Sequence, residues 1–208
     1  MRHFIRSLYG SAKVSLYIYR AELSPAVVLV GKLPRTLTQI IFFVIVAKAA
    51  GGNYLGDYAL IGNAVMSLVV PSVIMATVVI ETEKWAGTLE SLIAAPTHWL
   101  PLIVGRSFST FIEAFLLSMP IIFVLVPLLG INLSPVNVLY SIPLVVLVII
   151  TTNILGLLLG AVSLSIRWGT LLSNVVCYFM MVVCGVNSPI TYASPFLYKF
   201  SQFMPLTN

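Results

Sequence analysis

The sequence predicts an all-α fold, a polytopic bundle of transmembrane helices, and three observations carry that prediction. Apolar residues make up 60% of the 208 and the mean hydropathy is +1.07, more than one soluble core of this size can hide. Several apolar runs exceed the ~20 residues that cross a ~30 Å hydrocarbon layer. Charged residues are only 8% of the chain and gather at the ends of those runs. The net charge of +5 therefore reads as headgroup contact and an orientation signal, and it disfavours a nucleic-acid partner.

Residues 1–24 predict an interfacial elbow helix. Phe4, Leu8, Ala12, Leu16, Tyr19 and Leu23 recur at spacings of three and four, while Arg6, Lys13 and Arg20 recur every seven residues on another face. Such a helix lies in the inner interface, either as a plain anchor or as an anchor that also touches a cytosolic partner. Met1 to Ala12 lacks the continuous apolar core of a cleaved signal peptide.

Five crossings follow: Pro25 to Ala50, Tyr58 to Ile80, Leu100 to Leu129, Val138 to Ile166, and Thr170 to Asn187. Pro120 and Pro143 are the expected bends in the third and fourth. Placing the N-terminus in the cytoplasm puts Arg2, Arg6, Lys13, Arg20, Lys32, Arg35, Lys84, Arg106 and Arg167 on the inner side, against Lys48 and Lys199 outside. The chain thus reads as one multi-pass domain of the cell membrane over 1–208, with spans at 25–80 and 100–187 and an outer segment from Ser188 to Asn208. The odd number of crossings predicts that a sixth span is missing.

Three of the six acids lie in Glu81 to Pro96, between the second and third spans. Gly87 is placed to interrupt the incoming helix, Thr88 to cap a new one, Glu90 to face its positive end, and Pro96 to stop it. Trp85, Leu89, Leu92 and Ile93 form an apolar ridge on this cytosolic segment (81–99). The ridge suits a groove on a soluble protein, and equally suits the membrane interface where Trp is common.

Glu81-x-Glu83-x-x-x-Gly87-Thr88-Leu89-Glu90-x-Leu92-x-x-x-Pro96, followed by Gly105-Arg106, resembles the region after the second span in the type-2 family of ABC exporter permeases. The order of parts is similar as well, down to the outer Met204-Pro205-Leu206-Thr207, after which that family has its sixth span. The resemblance implies a permease whose coupling helix, carried by Glu81, Glu83, Trp85, Gly87, Thr88, Leu89, Glu90, Leu92 and Pro96, meets separate nucleotide-binding ATPase subunits. ATP and Mg would sit on those partners, one per permease copy, and the permease itself would pair with a second copy, identical or related. The chain has no phosphate-binding loop, since Gly31-Lys32 is followed by Leu33 with no glycine five positions earlier. No cofactor and no catalytic residue are expected in this chain. The resemblance is closest to drug-export members, which implies export of amphiphilic drugs, antibiotics or antimicrobial peptides. Export of lipid-linked glycan or lipid is the alternative, as is a non-transporting scaffold subunit.

Glu113 lies about 16 Å into the third span at ~1.5 Å per residue, where a lone carboxylate is expensive. It reads as a substrate or proton contact, or as one half of an internal pair with Arg106 or Arg35. Thr151, Thr152 and Asn153 midway through the fourth span, and Asn174 in the fifth, line a polar path or bond to neighbouring helices. Gly156 and Gly160 form Gly-x-x-x-Gly, a close-approach stripe for packing within the subunit or against a second copy. Cys177 and Cys184 are about 10 Å apart along one helix, too far for a mutual disulfide. His3 and His98 have no Cys or acid at ligand spacing, so no metal is expected.

Overall fold

The structure, a computed structural model, describes residues 2–20, 24, 26–94, 99–120, 135–166, 168–187, 189 and 199. Every element among them is helical: α1 (Arg2–Tyr19), a π-helical turn (Val27–Lys32), α2 (Leu33–Trp85), α3 (Leu89–Ala94), α4 (Trp99–Pro120), α5 (Pro135–Ser163) and α6 (Gly169–Val183). Residues 190–208, apart from 199, and the stretch 121–134 lie outside the described residues, and so do the expected limit Leu129 and the residue Arg167.

The first two predicted crossings are continuous in helix except for a fold-back at Gly51 and Gly52. Gly52 takes φ +73, a conformation that residues with a Cβ rarely adopt, and the chain reverses there. Lys48 then packs on Gly56, so residues whose numbers sum to about 104 stand opposite one another in two antiparallel arms, 33–50 and 53–85. The helix begins with Pro34 in its first turn, where no backbone donor is missed. The second arm runs five residues past the predicted limit of Ile80, because Lys84 and its neighbours find polar partners described below.

Among the described residues, two helical stretches are long and apolar enough to cross a membrane, Val27–Trp85 and Ser141–Ser163, with Gly169–Val183 a shorter apolar helix. The fold-back divides the first stretch into two arms. The count of five crossings rests on the hydropathy of the sequence.

The second arm of α2 is the centre of the bundle. It carries Met66, Val69 and Val73, which pack with Cys177, Met180, Met181, Cys184 and Val186 at α6, and with Phe43 of the first arm. Leu68 joins Ala114 of α4 and Ile149 of α5 in a second cluster. Both cysteines are buried, and neither is in a disulfide. Gly156 and Gly160 face this same arm: a methyl on the first would collide with the Val73 carbonyl, and one on the second with Ile80. Along α5 the exposed side is aliphatic, with Leu144, Leu147, Ile154 and Leu158 at helical spacing, the pattern of a face that meets an apolar environment.

Candidate coupling site

The end of α2 nearest α3 is built by its glycine. Gly87 adopts φ +67, which lets its N–H reach the Lys84 carbonyl at 3.2 Å and the Thr88 N–H reach the Glu83 carbonyl at 3.1 Å. This pair of bonds closes the last helical turn and frees the chain to change direction. Thr88, expected to cap α3, donates its hydroxyl back to the Glu83 carboxylate instead, because the reversal brings that acid within reach. Trp85 is 71% exposed, Glu90 is exposed and Leu89 is half-buried. The side chains of Leu92 and Ile93, and Pro96 altogether, lie outside the described residues.

Just before this turn, three consecutive charges reach three different helices. Glu81, 9% exposed, accepts the Gly169 N–H at 2.8 Å, the Thr170 N–H at 3.2 Å and the Thr170 hydroxyl. Its carboxylate therefore sits on the first turn of α6, where backbone donors are unpaired and the helix dipole favours negative charge. Lys84 donates from Nζ to the carbonyls of Ser163 at 3.2 Å and Leu164 at 2.7 Å, covering the other kind of helix end at α5. Glu83 forms an ion pair with Arg106 of α4. The segment offered as a surface feature is thus split. Glu81, Glu83 and Lys84 are tied inward, whereas Trp85 and Glu90 stand outward.

Arg106 being taken by Glu83, Glu113 pairs with Lys32 in the turn before α2, neither with Arg106 nor with Arg35. Lys32 precedes Arg35 by about one turn and reaches Glu113 Oε1 with its ammonium on a flexible four-carbon stem. Oε2 of Glu113 has no hydrogen-bond partner among the described residues, although the side chain is 1% exposed. Lys32, Arg35 and Glu113 line a cavity of about 180 Å³ between the arms of α2, together with residues of α6.

The remaining polar candidates do not line that cavity, and their hydrogen bonds go to their own or a neighbouring helix. Thr152 donates to the Val148 carbonyl at 2.7 Å, Thr151 to Leu147 at 3.0 Å and Asn174 to Thr170 at 2.8 Å, each within its own helix. Asn153 crosses to the Thr110 hydroxyl at 2.7 Å. Of the predicted path residues, Glu113 is the one that lines the cavity. Among the described residues no cluster of His, Cys, Asp and Glu could hold a metal ion.

A seam that the apolar periodicity passed over joins α1 to α4. Ser15 donates to the Arg106 carbonyl at 2.5 Å and shares a 2.6 Å bond with Ser109, while Ser11 reaches the Pro101 carbonyl at 3.2 Å. Gly105 lies against Ser11 so closely that any side chain there would strike it. Ser11 and Ser15, and likewise Gly105 and Ser109, stand four apart, a small-residue spacing on both helices that the sequence displays.

A family model described as ABC-2 type transporter matches residues 24–208, from the turn ahead of α2 to the end of the chain. No curated protein and no solved structure matches the chain.

Proposed function

The chain belongs to the ABC-2 type transporter family, and from that premise we propose that it is the permease subunit of an ATP-driven exporter, coupled to separate nucleotide-binding subunits through residues 81–96. The observation that carries the coupling reading is the division of labour at the end of α2. Trp85 and Glu90 are presented outward, while Glu81, Glu83 and Lys84 grip α6, α4 and α5. A push on the outward segment is thereby handed to three helices, and closure of ATPase subunits on ATP shifts the bundle between inward- and outward-open packings. The segment faces the cytosol, and the apolar outer faces of the helices meet lipid and a second permease copy. Amphiphilic drugs, antibiotics or antimicrobial peptides are the cargo.

Co-purification tests the coupling. An ATPase that associates with the wild type should be lost on Leu89→Ala, Leu92→Ala or Glu90→Lys, each truncation of an anchor weakening docking by ~1–3 kcal/mol. Full association and permease-stimulated ATP turnover in all three variants would leave the segment as an interfacial anchor of a scaffold protein.

A further inference from the structure

We propose that the cavity between the two arms of α2 binds an acidic head group that carries hydroxyl or ammonium donors, with the apolar remainder of the ligand outside. The inference goes beyond the exporter reading and does not depend on it, since binding needs neither an ATPase nor turnover.

Two residues that line this cavity each carry a buried acceptor without a donor among the described residues. Oε2 of Glu113 is one; the other is Oδ1 of Asn63, a side chain 2% exposed whose amide donates to Ala59 and to Asn187. A buried acceptor without a donor keeps the cost of its lost hydration. Both belong to the wall of the same space, which also holds the Arg35 guanidinium and the Gln39 amide. Glu113 and Asn63 thus each bring to this wall an acceptor that wants a donor.

Charge adds the second requirement. Lys32 and Arg35 against Glu113 leave the wall with one positive charge in excess, so the occupant is acidic as well as donor-bearing. With the arms in the register that Lys48 and Gly56 set, Asn63 stands opposite residue 41, roughly 9 Å deeper than Arg35 at ~1.5 Å per residue. An acid at Arg35 with donors on either side meets all three polar groups. The 180 Å³ volume is below the ~300–1,000 Å³ of pockets that engulf a drug-sized molecule, so a head fits and a whole amphiphile does not. Arg35 and Tyr178 are exposed and mark where the cavity reaches the outer face of the bundle.

Native mass spectrometry of the purified full chain in neutral detergent tests this with eight-carbon-chain lipids. Phosphatidylglycerol brings an acid and hydroxyls, phosphatidylethanolamine a phosphate and an ammonium donor, and phosphatidylcholine a phosphate with no donor. Phosphatidylglycerol is expected to bind about tenfold more tightly than phosphatidylcholine, with phosphatidylethanolamine between, and a cationic amphiphile of equal chain length not to bind. Arg35→Gln should weaken phosphatidylglycerol about tenfold, while Arg20→Gln, the same charge change on an exposed residue beyond α1, should not. Asn63→Leu should bring phosphatidylglycerol toward the phosphatidylcholine level. Competition by glycerol 3-phosphate or inorganic phosphate at equal concentration would assign the site to a free acid, and its absence to a lipid head. Phosphatidylcholine binding as tightly as phosphatidylglycerol to the wild type overturns the proposal, and that comparison needs no variant to fold. So does an equal loss in Arg20→Gln and Arg35→Gln.

Discussion

Glu81 and Lys84, one turn apart on α2, clasp opposite ends of two successive helices: the acid holds the first turn of α6 and the amine the last carbonyls of α5. Each charge has the sign that its helix end favours, so one turn of α2 holds both the end of α5 and the start of α6. Replacing Glu81 by Gln keeps the shape and removes the charge, and should lower stability by about 1.5–3 kcal/mol, the range for a hydrogen bond to a charged group. Thermal unfolding in detergent measures it. Under the coupling proposal Glu81→Gln should retain an ATPase that Leu89→Ala loses, yet give less permease-stimulated turnover. If Glu81→Gln released the ATPase as readily as Leu89→Ala does, the inward grip would have no separate role.

The seam between α1 and α4 offers a paired test on two glycines. Gly105→Ala puts a methyl into Ser11 and the Leu8 carbonyl, and should destabilise by about 1–3 kcal/mol, as overpacking does. Gly10→Ala, on α1 itself with open space around it, should stabilise by roughly 0.5–1 kcal/mol through helix propensity. Equal thermal shifts for the two would show that α1 is not seated on α4 through this seam.

How far the fold was legible depended on the signal. Gly87 announced its turn because a positive φ has a preferred residue type, and the apolar runs announced helices because length and hydropathy are local properties. Glu81 was legible only as part of a charged surface segment, since its partner, the start of α6, is 88 residues away and no local pattern records that distance. For the same reason Glu113 gave its need for a cation but not the identity of that cation. Lys32, Arg35 and Arg106 were equally charged in the sequence, and only the Glu83 pair with Arg106 and the stagger of α2 against α4 select Lys32. Ser11 and Ser15 were hidden by the search for apolar periodicity: the face of α1 that packs against α4 is small and polar.

Orientation can be checked directly. With the N-terminus inside, a membrane-impermeant thiol reagent on intact cells should label a cysteine introduced at Ser201 and spare one at Ser91, which lies on α3. The native cysteines are buried and give a low background. Labelling at Ser91 alone would put α3 outside and end the coupling proposal.

The Lys32–Glu113 pair makes the sharpest stability prediction, because its two halves differ in exposure. The carboxylate side chain is 1% exposed and the amine side chain 21%. Lys32→Met removes the cation and strands a buried acid, which should cost about 3–5 kcal/mol. Glu113→Leu leaves an amine that can turn outward, since it already borders the surface, and should cost less. The double variant Lys32→Met, Glu113→Leu should then recover most of the loss seen in Lys32→Met alone, because no uncompensated charge remains inside. Midpoints of thermal unfolding for the four proteins close the cycle. Additive losses in the double variant would mean that the two groups are not coupled, and Glu113 would then need a different partner to explain its place inside the bundle.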